Sequence, residues 1–233
     1  MKKYLFDCGV AIDTRDWFQV FSASLGKVQA QQASCVDAVV KDRDWNVDLS
    51  AGFLYFGADA YPVQFIGSES ASSNTWLWGW ENINGFPESV VATAHEMKRM
   101  GERYGLTPFT TAKLALTDTI NGHNLAMAVC ALSRGSICYY RGPHAGGAVL
   151  MTFSGAPDTV FVPVSMHTFI DVSMRCIQQY EVDHRIFLAS FLYQNDTPFT
   201  WDGDTIIAHF DTDLRIALEE NQGRWRMTGM RSA

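Results

Sequence analysis

Asn74-Thr-Trp-Leu-Trp-Gly-Trp-Glu-Asn82 places an indole at every second position. As a β-strand, with its period of two, this segment puts Trp76, Trp78 and Trp80 on one face and Leu77 and Gly79 on the other. Aromatic residues favour extended backbone, and the preceding Ser70-Ala-Ser-Ser-Asn74 reads as a turn, so a strand is predicted. Hiding three indoles from water, at roughly 150 to 250 Å² each and about 25 cal/mol/Å², is worth on the order of 10 kcal/mol before entropy is subtracted. The row is therefore either a core face or an aromatic wall along a groove.

Outward from this strand, alternation runs back through Val63-Gln-Phe-Ile66, Phe53-Leu-Tyr-Phe56 and the Trp45, Val47, Leu49 stretch, punctuated by Gly52 and by 57–60. The pattern predicts a four-stranded antiparallel meander. Before it, Asp13 or Thr14 can cap a helix carrying Trp17, Val20, Phe21, Leu25, Val28, Cys35 and Val39, as one long helix weakened at Gly26 or as two short ones. After it, Pro87 opens and Gly105 closes a helix with Val90, Val91, Ala94, Met97, Met100 and Tyr104 inward. Asp118 opens a segment whose apolar run, Leu125 to Leu132, favours helix over strand by its alanines and methionines.

Strands follow at Ile137 to Tyr140 and Ala148 to Phe153 across a glycine-rich turn. Pro163 begins a helical pattern that Asp183 restarts, and three short strands (Thr205 to Phe210, Leu214 to Leu218, Arg224 to Thr228) close the chain. The expected fold class is α+β: antiparallel β-meanders packed against helices, as one compact unit over 1–233 or as two cystatin-like helix-plus-sheet halves. The loop at Ser154 to Asp158 is the candidate boundary, dividing 1–155 from 156–233.

The 233 residues are 47% hydrophobic and 13% aromatic, with only 18% charged, which fits a globular protein with an aromatic interior. No apolar stretch has the length to span a bilayer, so no membrane role is expected. A net charge of −7 opposes nucleic-acid binding, which needs a basic footprint. Met1-Lys-Lys-Tyr-Leu-Phe-Asp7 lacks the apolar core of an export signal, and five scattered cysteines suggest reduced thiols, so a cytoplasmic location is expected.

Local motifs for catalysis are weak. His95-Glu96 lacks the second histidine one turn on, where Arg99 stands, so zinc-protease chemistry is not expected. Cys138 and His144 flank a glycine-rich turn and could form an activated thiol, but Cys138 sits in an apolar strand. Gly142 to Gly147 has no Lys-Ser/Thr and precedes a strand, unlike a phosphate loop. Asp183 reads as the cap that starts a helix at His184. Asp48, Asp202, Asp204, Asp211 and Asp213 are too sparse for a calcium loop. No catalytic residue, metal or cofactor is expected, and the chain leans away from being an enzyme.

The pieces Trp45-x-x-Asp48-x-x-x-Gly52-x-Leu54-x-Phe56, Thr75-Trp-Leu-Trp-Gly-Trp-x-Asn82, and Asp183-His184 with Phe191-Leu192 resemble a bacterial family of uncharacterised proteins, DUF6882. The resemblance imports no catalytic residue and no cofactor; it marks the tryptophan strand as the group's structural signature. Two roles are expected in competition. One is non-catalytic sequestration of a basic protein partner, as immunity proteins neutralise toxins. The other is a small-ligand pocket or enzyme site lined by Trp76, Trp78 and Trp80, with His144, His184 or Asp48 as polar contacts to an aromatic-stacking ligand.

Overall fold

The computed structural model describes residues 7–232. The export-signal reading of residues 1–6 concerns a stretch outside them. Among the described residues there are six α-helices and eleven strands, every strand pairing antiparallel within one of two sheets, so the α+β expectation holds. Contacts along the chain divide it into two units, residues 1–30 with 161–233 and residues 31–160. The loop singled out at Ser154 to Asp158 ends just before residue 160, while the first thirty residues group with the C-terminal segment.

Unit 31–160 is built on a seven-stranded sheet. Strands β1 (Trp45–Asp48), β2 (Phe53–Phe56), β3 (Asp59–Ser70) and β4 (Thr75–Trp78) form the expected meander, extended by the short β5 (Lys113–Ala115). The twelve-residue β3 pairs with β2 through its first third and with β4 near its end. From Val63 to its end it also pairs with β7 (Gly147–Phe153), which in turn pairs with β6 (Cys138–His144). The β6–β7 hairpin is longer than the sequence suggests: the ladder continues to His144 opposite Gly147, so the glycines shorten the turn rather than the strands.

Helix α2 (Glu88–Tyr104) ends as predicted, with Gly105 left-handed at φ 72°. A single extra turn, α3 (Thr107–Thr110), follows it. Helix α4 (Gly122–Leu132) confirms the helical reading of the apolar run, but its cap is Asn121, whose Oδ1 accepts from the Asn124 N–H at 3.0 Å, not Asp118. Nearly every α4 side chain is buried, so the helix start needs polar partners from the sheet. Glu69 supplies one, accepting the Gly122 N–H at 2.7 Å while its other oxygen takes Arg141 Nε and Nη2, each at 2.9 Å.

The tryptophan segment corrects its own prediction in part. Trp76 and Trp78 lie on one face of β4, but the strand ends there, and Trp80 sits in a 3₁₀ turn, Gly79–Glu81. A side chain at Gly79 would meet the Phe65 carbonyl at 2.7 Å, so the backbone turns where only glycine fits. All three indoles are interior, at 0%, 1% and 7% exposure. Trp76 and Trp78 meet edge to face at 5.4 Å, Trp78 meets Phe109 likewise, and Trp78 Nε1 donates to the Pro108 carbonyl at 2.8 Å. Gly67, opposite Trp78, leaves room for the Trp76 ring: a Cβ there would lie 2.2 Å from Trp76 Cζ2.

The unit of residues 1–30 and 161–233 carries a four-stranded sheet in the order β11 (Arg224–Ser232), β10 (Asp213–Asn221), β9 (Thr205–His209), β8 (Phe199–Asp202). Its helices are the start of α1 (Trp17–Cys35), α5 (Met166–Gln179) and α6 (His184–Gln194). Helix α1 is a single helix and finishes in a π turn, Val36–Val40. Gly26, which weakens its middle in propensity, is a packing device: a Cβ there would stand 2.5 Å from the Phe191 ring of α6. The caps differ slightly from expectation. Asp16 rather than Asp13 or Thr14 accepts from the Phe18 N–H, and Ser165 rather than Pro163 caps α5.

This unit also holds a buried lysine. Lys27 is 6% exposed, and its Nζ donates to the Val162 carbonyl at 2.8 Å and to Asn195 Oδ1 at 3.2 Å. Burial pushes its pKa down to about 8, with the Asp196 charge partly offsetting.

Candidate functional site

Among the described residues a cleft of about 700 Å³ opens at the head of α6. Its wall comes from three places in the chain: the N-terminal stretch around Gly9 and Asp16 with Phe18 of α1, the first turn of α6, and the β10–β11 turn with Arg224 and Trp225. Asp183 joins them. As the predicted N-cap it accepts from the Ile186 N–H at 2.9 Å, its second oxygen takes the Trp225 N–H at 3.3 Å, and its own N–H donates to Ser22 Oγ at 3.0 Å.

Two residues on, Arg185 leaves the helix between two indoles. Its guanidinium carbon lies 4.7 Å from the Trp201 ring and 4.4 Å from the Trp225 ring. Its Nε is buried without a hydrogen-bond partner. The neighbouring arginines are engaged: Arg224 pairs with Glu181 and covers the Phe18 ring, Arg215 pairs with Asp202 at 2.9 Å, and Arg226 donates to the Val182 carbonyl at 3.0 Å. Arg185 forms no ion pair with any described residue, and it is one of the residues that line the cleft.

His184, expected as a ligand contact, turns into the structure. Its Nδ1 accepts from the Met227 N–H at 2.9 Å and its Nε2 lies 3.2 Å from Arg226 Nη1. Burial lowers its pKa, with Arg226 adding to the effect and Asp183 opposing it, so the ring is held neutral. His184 is thus a pin between α6 and β11.

The other expected contacts also serve local structure. Asp48 ends β1 and accepts from the Ser50 and Ala51 N–H groups at 2.9 Å each, closing the turn into β2. His144 is exposed at the tip of the β6–β7 hairpin, where its Nδ1 accepts from the Gly146 N–H at 3.1 Å. Cys138 stands six residues away along β6, opposite Phe153, roughly 20 Å distant at the rise of a strand, so thiol and imidazole do not meet. Trp76, Trp78 and Trp80 pack inside, and the free face of Trp80 carries the Lys98 ammonium at 4.0 Å. The structure brings Trp76 and Trp78 together; Asp48 and His144 keep to their own turns.

The Arg185 slot escapes sequence reading. Asp183-His184-Arg185 stands out as a helix start, but the partners Trp201 and Trp225 lie 16 and 40 residues downstream and no local pattern links them. The only signal is that both indoles interrupt polar turn sequences, Trp201-Asp-Gly-Asp204 and Gly223-Arg-Trp225.

The fold and this cleft define an α+β protein with a cation-walled recess in one of its two units. Residues 19–156 match the model of a family of unknown function, DUF6882, and the chain belongs to that family. The matched stretch contains the tryptophan strand and ends before α5, so Asp183-His184 and Phe191-Leu192 lie beyond it, as does Arg185 with both flanking indoles. No curated protein and no solved structure matches the chain. Among the described residues no helix is long and apolar enough to cross a membrane.

Proposed function

We propose that the protein works by binding rather than by covalent chemistry, with the cleft at the head of α6 as its binding site. The observation that carries this reading is Arg185, fixed between two indoles on the cleft wall with its donors unspent. Stability alone does not account for that arrangement. Two cation–π contacts stabilise by about 1 to 2 kcal/mol together, while a buried donor left unpaired costs about 1 to 3 kcal/mol. A ligand acceptor would change the balance. The histidines support a non-catalytic reading, since His184 and His144 are both occupied by backbone N–H groups.

The test is a metabolite panel followed by tryptophan emission and melting temperature. A true cleft ligand shifts both in the native protein, and its effect on emission is lost in Trp225→Leu. A panel covering acids, phosphates, amines and sugars that moves neither readout would remove the reading.

A second reading, sequestration of a basic protein partner in the manner of an immunity protein, draws on the net charge of −7. It predicts a specific basic partner in pull-downs from the native cell, released as salt is raised through the range where surface charges are screened. Recovery of no such partner counts against it.

A further inference from the structure

The recess has a chemical polarity that narrows what it can hold; the assignment below rests on the binding reading above. Its acidic members are committed to the fold. Asp183 gives one oxygen to the Ile186 N–H and the other to the Trp225 N–H, and Asp16 Oδ1 takes the Phe18 N–H. Arg224 is neutralised by Glu181. The unspent group is the Arg185 guanidinium, a strong donor array facing a cavity with no acceptor assigned to it.

We propose that the cleft takes the oxyanion end of its ligand, a carboxylate or a phosphate, with Arg185 as a forked donor. Three features favour this chemistry. A guanidinium presents parallel N–H groups at the spacing of two oxygens of a carboxylate or phosphate, a match that ammonium lacks. Trp201 and Trp225 hold the cation from two sides, so little side-chain freedom is left to lose when a ligand docks. At this site the Nε of the guanidinium is shielded from water, which strengthens a charge-assisted hydrogen bond made there. At about 700 Å³ the cleft suits a small organic acid or phosphate ester rather than a bare ion.

The experiment uses the whole chain labelled with ¹⁵N-arginine. The Arg185 Nε–H resonance, identified by its loss in Arg185→Lys, is followed during titration with benzoate, phenyl phosphate, inorganic phosphate and, as the neutral counterpart, benzamide. The expected result is a saturable shift with benzoate or phenyl phosphate at least about tenfold tighter than with benzamide, the ratio that one charge-assisted hydrogen bond supplies. Arg185→Lys, whose folding is checked by its melting temperature, should weaken that binding by about the same factor. A stronger response to phenyl phosphate than to inorganic phosphate assigns the organic ester; the reverse assigns the free ion. Equal binding of benzamide and benzoate with Arg185 unmoved overturns the oxyanion assignment while leaving cleft binding intact. An Arg185 resonance that no acid or phosphate shifts also overturns it, and the wider metabolite panel then decides whether the cleft binds at all.

Discussion

Tryptophan is put to opposite uses in the two units. In unit 31–160 the indoles of Trp76, Trp78 and Trp80 are interior, packed on Phe109, on each other and over the bare backbone of Gly67. In the unit of residues 1–30 and 161–233, Trp201 and Trp225 are half-buried and enclose a cation. The interiors differ in the same sense. Of the thirteen buried polar or charged residues described, nine belong to this unit: Ser22, Ser24, Lys27, Ser173, Asp183, His184, Ser190, Asn195 and Thr197. The contrast teaches that a long aromatic row marks where a fold hides its apolar surface, while isolated indoles next to charge mark where it meets something else.

The largest effect should come from the core indoles. Trp78→Ala removes a ring that is 1% exposed along with its hydrogen bond to Pro108, and a loss of about 3 to 5 kcal/mol is expected in chemical denaturation. A loss under about 1 kcal/mol would mean that the row is not the core of its unit, and the comparison would collapse.

Next in size is the alkaline response of the polar interior. A lysine whose folded pKa is about 8 binds its proton more weakly than the free side chain at 10.5, so burying it charged costs stability. The cost is full below pH 8, shrinks between about 8 and 10.5, and vanishes above; 2.5 pKa units correspond to about 3 kcal/mol. Native protein should therefore gain stability relative to Lys27→Met between pH 8 and 10.5, measured as paired denaturant midpoints. His184 supplies the acid counterpart. Its lowered pKa means that stability is present above the free value of 6.5 and is lost as pH falls below it, a slope that His184→Gln should flatten. Parallel pH curves for native protein and both variants would deny that this interior is charge-sensitive.

Gly67→Ala tests the core from its other side. The added methyl would stand 2.2 Å from Trp76 and 2.6 Å from the Leu77 carbonyl, and backbone cannot yield as a flexible side chain can. Overpacking of this kind costs about 1 to 3 kcal/mol, and Gly67→Ala should lower the unfolding midpoint accordingly.

How much of this could be read in advance follows the range of the interactions. Helix α2, the four-strand meander, the Asp183 cap and the α+β class rest on local periodicity and turn chemistry, and all are present. The elements absent from the sequence reading, α3, β5 and β8, have three or four residues each, too few for any period to register. β8 was legible only as an acidic turn around Trp201. The end of the tryptophan strand was missed because Gly79 turns against the Phe65 carbonyl, a contact fourteen positions away. Of the expected ligand contacts, Asp48, His144 and His184 are held by their own turns or by β11, and the residue facing the cleft is the arginine beside His184.

The smallest effect on stability should be the most informative about function. Trp225→Leu removes one wall of the Arg185 slot, and the cation–π contact it forfeits is worth about 0.5 to 1 kcal/mol at a partly exposed site. A double-mutant cycle with Arg185→Met isolates that coupling from the packing of the ring itself. If the slot were only a surface brace, the coupling would be the whole consequence. If it holds a ligand's oxyanion, Trp225→Leu should weaken ligand binding by more than the coupling energy, because the guanidinium then has freedom to lose on docking. The two measurements together separate an indole that stabilises a fold, as Trp78 does, from one that prepares a charge for a partner.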